Sequence, residues 1–424
     1  MIRFLFKGLL RDRHRSVLPI LVVTFGVMLT VVVHCWINGV LGDMVDFTAR
    51  FSTGHVKVMT RAYAENADQI PNDLAIYEMP ALLEKLNQDY PEISWAPRIR
   101  FAGILDVPDT LGETRSQGPV SGMAVDLLSP ANREIDRLNL EQSLVEGRMP
   151  VYPNEALLSQ DFAKKLQVKT GETITLIGST MFGGMAIHNF QVAGTIRFGV
   201  GMLDKTGMIA DLQAIQSALN MTNGCGEVLG FFRNMAYDDE LARATTLHFN
   251  RKHSRPDDEF SPLMVPLKEQ TNMAGTLDLI DHMQGIIVGV FMLAMSIVLW
   301  NAGLIGGLRR YGEIGLRLAI GEDKNHIYKT IIYESFLIGF IGSLTGTLIG
   351  VSLSLWGQKE GLDISHMLKN ATMMMPGTFR TVVTPAAYYI GFVPGILSTV
   401  IGTSLSGIGI YKRQTSQLFK ELET

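Results

Sequence analysis

Four long apolar stretches constrain this 424-residue chain more than any other feature. They cover residues 17–37, 285–308, 331–356 and 388–410. Each has about the 20 residues that a helix needs to cross the hydrocarbon core of a bilayer. A buried core helix can imitate one such stretch, but four nearly charge-free stretches are not typical of a soluble fold. We therefore predict an α-helical membrane protein with four transmembrane helices.

The first stretch follows a basic segment, as the apolar region of a signal peptide also does. Arg11, Arg13 and Arg15 precede it. The stretch is longer than the apolar region of a typical signal peptide, which has about 7–15 residues. The segment His34–Trp36 at its end offers no pair of small residues for cleavage. We interpret the stretch as an uncleaved membrane anchor.

Composition points to a chain that is partly in the membrane and partly outside it. It is 47% hydrophobic and 18% charged, which is too apolar for an ordinary soluble protein and too polar for one embedded throughout. A net charge of −4, without a dense basic face, does not indicate nucleic acid as a partner. The two cysteines, Cys35 and Cys225, suggest neither a disulfide scaffold nor a zinc site.

Lysine and arginine near the ends of the spans predict the orientation. They are frequent in residues 1–16, 309–330 and 411–424, whereas residues 357–387 contain only Lys359, Lys369 and Arg380. Because cytoplasmic loops are enriched in these residues, both termini and the 309–330 connector are predicted to be cytoplasmic. Residues 38–284 then form a large extracytoplasmic domain, and 357–387 form a short loop on the same side.

Residues 1–16 have apolar side chains at helical spacing, with basic residues between them. This pattern predicts a helix in the cytoplasmic membrane interface. The alternative is that they form the first turns of the first span.

The predicted extracytoplasmic domain has a mixed α and β pattern. Residues 271–282 are helical in pattern and lead into the second span, and residues 251–266 are predicted to be a linker or mobile loop. The other predicted elements are strands at 55–60, 99–107 and 122–127, a helix at 81–86, a helix at 155–166, two strands joined by the glycine-rich loop 178–184, and a helix at 212–219 that follows the segment 208–211.

Motifs of the common enzyme classes are absent from the sequence. It contains no GxxxxGK[ST] phosphate loop, no HExxH, no GxSxG and no paired CxxC. Asp278, Asp281 and His282 are close in sequence, but we interpret them as solvated residues rather than a metal site. The absence of these motifs disfavours a membrane-anchored enzyme. We predict that this chain is not an enzyme and that it holds no cofactor and no metal.

The third stretch contains an acid and a ridge of glycines. Glu334 either has a function within the membrane or lies at the interface and satisfies a helix N-terminus. Gly339, Gly342, Gly346 and Gly350 recur at spacings of three and four, which predicts close helix packing within the chain or across a dimer.

The segment 313–350, EIGLRLAIGEDKNHIYKTIIYESFLIGFIGSLTGTLIG, resembles the signature of the FtsX-like permeases of ABC transporters. The external segments LLSQDFAKKLQVKTGETITL and FQVAGTI resemble the MacB-like extracytoplasmic core of the same group. Two departures exist. Leu318 is in effect inserted in the signature, and the tail TSQLFKEL lacks the usual Asp/Glu-Pro-x-x-Ala-Leu ending.

The resemblance implies a stand-alone permease of the LolC/LolE type in the bacterial inner membrane, which works as a mechanotransmitter for a lipoprotein or another hydrophobic substrate. Its partners would be a cytoplasmic ABC ATPase dimer that holds ATP and magnesium, a second permease copy or paralogue, and a periplasmic carrier or adaptor. The alternative is an FtsX-like relay that activates an extracytoplasmic cell-wall hydrolase without transport.

The resemblance also implies that the ATPase grips the 309–330 connector, with residues 318–326 as a coupling helix. The predicted coupling residues are Glu313, Arg317, Leu318, Ala319, Ile320, Gly321, Glu322, Asp323 and His326.

Overall fold

The computed structural model describes residues 13–130, 133–199, 201–233, 235, 237–270, 275, 283, 285–298, 300–301, 316–363 and 378–407. They divide into two compact units. A helical unit contains the described residues up to Gly42, those from Leu277 to Leu362 and those from Thr378. An α/β unit contains the described residues from Asp43 to Thr276, with Asp363.

Among the residues that the structure describes, three helices are long and apolar enough to cross a membrane, as predicted for three of the four spans. The first helix is Arg13–Thr48, which a π-helical turn, Ala49–Thr53, continues. The third helix is Lys324–Glu360, and the last is Phe392–Gly407 after a 3₁₀ turn at Pro385–Tyr388.

The predicted second span is described only in part. A shorter apolar helix covers Gly285–Val298, whereas residues 302–308 lie outside the described residues. The count of four spans therefore stays a prediction. Residues 1–12 of the predicted interfacial helix and the whole predicted cytoplasmic tail, 411–424, also lie outside the described residues.

The described part of the α/β unit contains ten paired strands. They are β1 Val56–Thr60, β2 Ile93–Pro108, β3 Thr114–Val125, β4 Leu144–Gly147, β5 Glu155–Ser159, β6 Thr173–Ser179, β7 Met185–Ile196, β8 Gly207–Asp211, β9 Glu227–Phe232 and β10 Pro262–Pro266. Two further short strands elsewhere, β11 Leu362–Asp363 and β12 Thr378–Phe379, pair with each other.

Six of these strands close into a ring in the order β2–β3–β8–β5–β7–β6 and back to β2. β2 is long enough to serve two sheets: Ile99–Pro108 pairs within this ring, whereas Ile93–Arg98 pairs with β9. β9 continues through β1 to β10, so the second sheet is open and antiparallel. Arg98 therefore stands where one strand passes between two sheets.

Short helices cover the two sheets. In chain order they are Arg61–Glu65, Met79–Asp89, Glu134–Arg137, Leu140–Ser143, Gln160–Leu166, Leu203–Thr206, Leu212–Ala218 and Asp239–His253. The main core between the helices and sheets contains Phe101, Phe162, Phe190 and Phe249, each at most 2% exposed.

Several predicted elements of this unit are confirmed. The strand at 55–60 and the helices at 81–86 and 212–219 correspond to observed elements within a few residues, and the strand at 99–107 is the second part of β2, which begins earlier, at Ile93. The predicted strand at 122–127 is the end of β3, and the glycine-rich loop joins β6 to β7.

The predicted helix at 155–166 is wrong in its first part. Residues Glu155–Ser159 form β5, and the helix begins only at Gln160, where the Ser159 hydroxyl accepts from the Phe162 N–H. All five residues of β5 are buried, so the strand lacks the alternation that identifies a half-exposed strand.

The predicted linker at 251–266 is wrong at both ends, although residues 254–261 between them do form a loop. Its first residues end the helix Asp239–His253, and Pro262–Pro266 forms β10 at the edge of the open sheet. Proline is tolerated at an edge because the missing N–H faces no neighbouring strand there.

Candidate functional site

Residues 316–326 form a bend between two helices, not the single coupling helix predicted at 318–326. One helix covers 316–319, and the next begins at Lys324. Gly321 has φ +98°, in the region that favours glycine, and this conformation ends the first helix. The N–H of Glu322 donates to the Arg317 carbonyl and that of Gly321 to the Leu318 carbonyl, both over 3.1 Å, which is a Schellman ending. We call residues 316–326 the elbow.

Side-chain contacts hold the elbow in its bent shape. The guanidinium of Arg317 donates to both carboxylate oxygens of Glu322, over 2.7 and 2.8 Å. Leu318 and Ile331 both pack against the buried Ile327. These contacts make the bend a defined structure rather than a loose loop.

The tip of the elbow exposes apolar surface. Ile320 is 78% exposed and Leu316 is 56% exposed, and Ala319, Asp323 and His326 are exposed beside them. Glu313 lies outside the described residues. That the elbow contacts an ATPase stays a prediction.

The glycine ridge of the third helix packs against a row of valines on the first helix. A Cβ added at Gly342, Gly346 or Gly350 would lie within 2.9 Å of a valine Cβ, so only glycine allows this approach. The facing valines are Val23, Val27 and Val31, in the same order. We call these six residues the glycine seam.

Gly339 contacts a different neighbour. A Cβ there would lie 2.4 Å from the Thr399 hydroxyl of the last helix. The predicted ridge therefore packs within the chain, on two sides of the third helix.

Glu334 does not satisfy a helix N-terminus. The third helix begins at Lys324, so Glu334 is roughly 15 Å along it, whereas the dipole effect fades within the first turn. That alternative is wrong. Glu334 lies half-buried inside the predicted third span, and its role stays a prediction.

The end of the first helix is bound by Arg98, a fully buried residue of β2. The helix stops at Gly54, and its last carbonyls have no partner within the helix. The Arg98 guanidinium donates to the carbonyl oxygens of Arg50 and Phe51, over 2.7 and 2.8 Å. A cation at this end of a helix is also favoured by the helix dipole.

Two more charged residues complete this group. Glu134 accepts from Arg98 over 2.8 Å and also pairs with Arg137. Arg137 donates to the Ser94 hydroxyl over 3.0 Å and lies 4.0 Å above the Phe231 ring. Burial lowers the pKa of Arg137 from its ordinary value, and the Glu134 carboxylate opposes that shift. We call Arg98, Glu134 and Arg137 the clamp.

A second polar side chain binds the same helix end. The buried amide of Gln270 donates to the carbonyls of Thr53 and Val265, over 3.2 and 3.0 Å. The last turn of the first helix is therefore held by two different parts of the α/β unit.

No pattern in the sequence singles out the clamp or Gln270. A buried arginine in a strand does suggest an ion pair, because arginine is rarely buried without a partner. The acceptors of Arg98, however, are mainly main-chain oxygens, which carry no sequence signal. Asp278, Asp281 and His282 lie outside the described residues.

Two family descriptions match most of the chain. Residues 16–236 match the MacB-like periplasmic core domain, and residues 285–415 match the FtsX-like permease C-terminal region. The first match includes the first helix, the clamp and β9, and the second includes the elbow and the third and last helices.

Individual relatives are distant. The lipoprotein-releasing system transmembrane protein LolC of Haemophilus influenzae is 20% identical, over 68% of this chain and 69% of that protein. The LolC of Xylella fastidiosa strain 9a5c is 22% identical, over 51% of this chain and 52% of its own length. The macrolide export ATP-binding/permease protein MacB of Hyphomonas neptunium is 22% identical, over 64% of this chain and 45% of its own length.

The chain thus spans about half the length of the second relative and less than half of the third. Since the periplasmic core description alone covers more than half of the chain, the chain belongs to the ABC transporter permease family that combines an FtsX-like permease region with a MacB-like periplasmic core domain.

Proposed function

We propose that this chain is a non-catalytic permease subunit that acts as a mechanotransmitter. It would couple ATP hydrolysis by a separate cytoplasmic ATPase to extraction or export of a lipoprotein or another hydrophobic substrate at the periplasmic face. The observation that carries the proposal is the first helix. It runs unbroken over the 36 residues Arg13–Thr48, and Arg98 binds its end.

The length of this helix suits it to carry motion. At 1.5 Å per residue it is about 54 Å long, whereas the hydrocarbon core is about 30 Å thick. Because its last carbonyls are bound by Arg98 and Gln270, a rotation or shift of the helix end must move the strands that hold these residues.

The glycine seam supports the input half of the path. The third helix follows the elbow directly. It packs so closely on the first helix that Val27 lies against the backbone of Gly346. Close-packed surfaces slide little past each other, so a push on the elbow would reach the first helix through the seam.

Partners and orientation belong to the same proposal. The elbow, the N-terminus and the C-terminus would be cytoplasmic, and the α/β unit periplasmic. An ATPase dimer would supply ATP and magnesium, and a second permease copy or paralogue would complete the membrane part. The names of the relatives, lipoprotein release and macrolide export, support a hydrophobic substrate.

The elbow provides the experiment. Reconstitution of the full chain with its ATPase should give ATP hydrolysis that depends on the permease. Ile320→Glu is expected to reduce that stimulated rate about tenfold, because an acid replaces an exposed apolar contact. Leu111→Glu is the matched control, since Leu111 is 86% exposed in the α/β unit. Equal rates in the two variants would contradict the proposal.

A second assay separates transport from a relay. Release of a triacylated lipoprotein from proteoliposomes on addition of ATP supports the proposal. ATP-dependent activation of an added cell-wall hydrolase, without release of the lipoprotein, would establish the relay instead.

A further inference from the structure

A basic cleft lies beside the clamp in the α/β unit. Its volume is about 780 Å³, which is within the range of roughly 300–1,000 Å³ for small-molecule sites. Four arginines and two acids provide the charged part of its lining: Arg50, Arg133, Arg137, Arg233, Glu92 and Asp136. Four positive and two negative charges leave the lining with a net charge of +2.

The buried charges behind the cleft do not balance. Arg98, Arg137 and Glu134 are each less than 9% exposed, and together they carry two positive charges and one negative. Carbonyl oxygens and the Phe231 ring solvate the cations in part, but a buried excess charge is costly. Arg137 belongs both to this group and to the cleft, so an anion in the cleft would supply the missing negative charge.

Arg50 is paired with Asp46 over 2.8 Å, but the two exposed arginines of the cleft are not neutralised in this way by described neighbours. Neither Arg133 nor Arg233 forms an ion pair within the described part of the chain, and Arg233 donates only to the Pro91 carbonyl, over 3.4 Å. Arg133 is close enough to lower the pKa of Arg137. Like charges that converge on one cavity repel each other, and an anion bound between them offsets that repulsion.

The ligand chemistry follows from the lining. Guanidinium groups bind phosphate through paired N–H donors, and several of them match a tetrahedral oxyanion better than a single carboxylate. Ile93, Phe232 and Met235 form an apolar wall next to the arginines. We propose that the basic cleft binds a phosphate group, carried by an anionic lipid headgroup or free in solution.

The test measures binding directly and uses no ATPase, so it is independent of the proposed function. The purified full chain in a neutral detergent is titrated calorimetrically at low ionic strength with dihexanoyl phosphatidic acid, dihexanoyl phosphatidylcholine or inorganic phosphate. The double variant Arg133→Gln/Arg233→Gln removes two exposed arginines and leaves the clamp intact. The control Arg251→Gln/Arg255→Gln removes two exposed arginines that do not line the cleft.

We expect phosphatidic acid to bind more tightly than the zwitterionic lipid. The cleft variant should weaken its binding about tenfold or more, and the control should stay within about twofold of the original chain. If inorganic phosphate binds as tightly, with the same dependence on the two arginines, the source is free phosphate and the site stands. Absence of binding by both phosphates, or equal weakening in the two double variants, would overturn the proposal.

Discussion

Arg98 donates to the carbonyl oxygen of Arg50 over 2.7 Å, so a buried side chain of a sheet binds the end of a membrane-type helix. The same guanidinium pairs with Glu134, and this fixes its plane. A helix end that only packed against the sheet could rotate within its contacts, whereas directional hydrogen bonds oppose rotation. The contact is therefore suited to transmit movement as well as to stabilise the fold.

The clamp should be important for stability. Arg98→Met removes two carbonyl contacts and leaves Glu134 with one cation, so the free energy of unfolding should fall by about 3–5 kcal/mol. Denaturant titration of the purified chain measures this change. Arg100→Met, two residues along the same strand and only half-buried, is the control, for which we expect a loss below about 1 kcal/mol. A similar loss in both variants would mean that the clamp contributes no more to the free energy of unfolding than an ordinary half-buried arginine does.

The glycine seam should not tolerate a larger residue. A Cβ at Gly346 would lie 2.6 Å from the Thr24 carbonyl oxygen and 2.8 Å from the Val27 Cβ. Gly346→Leu should therefore separate the first and third helices and lower the melting temperature in detergent by several degrees, as about 1–3 kcal/mol of overpacking strain implies. Gly289→Leu is the control, because nothing lies within 4 Å of a Cβ there. An unchanged melting temperature for Gly346→Leu argues against the seam.

The conformation of Gly321 should be needed for coupling. Its φ of +98° strains a β-branched residue, so Gly321→Val is expected to distort the elbow and reduce permease-stimulated ATP hydrolysis severalfold. Gly112 has φ +85° and also has open space around it, so Gly112→Val has a similar local strain in the α/β unit. Stimulated hydrolysis should be normal in that control. Normal stimulated hydrolysis in both variants would show that coupling does not need the conformation of Gly321.

Acid should weaken the α/β unit through His55. This residue is fully buried, its Nδ1 accepts from the Phe232 N–H over 3.0 Å, and burial lowers its pKa to about 4. The unfolded chain, with an ordinary pKa of 6.5, binds a proton that the folded chain does not bind, so stability falls as the pH drops from 6.5 to 4. The full effect is roughly 3 kcal/mol.

The measurement compares the pH dependence of two chains. His55→Phe cannot titrate, so its free energy of unfolding should change less between pH 6.5 and 4 than that of the original chain, whatever its absolute stability. Parallel curves for the two chains would show that His55 is not responsible.

The sequence was most informative about the membrane part and least informative about the contacts that connect the elements. Apolar length alone predicted the first, third and last helices, and the spacing of the glycines predicted a packing ridge. The bend of the elbow was missed because a helical pattern continues on both sides of Gly321. The strand Glu155–Ser159 was missed because it is buried on both faces. The clamp was missed because Arg98 binds main-chain oxygens that residue types do not reveal.

The most direct test of the account follows movement of the α/β unit when ATP is added. Both native cysteines are buried, so an environment-sensitive fluorophore can be placed on Leu111→Cys in the full chain reconstituted with its ATPase. We predict an ATP-dependent change in emission that Arg98→Gln, and more mildly Gln270→Ala, reduces while ATP hydrolysis continues. A change of undiminished amplitude in Arg98→Gln would contradict the claim that the first helix moves this unit through the clamp.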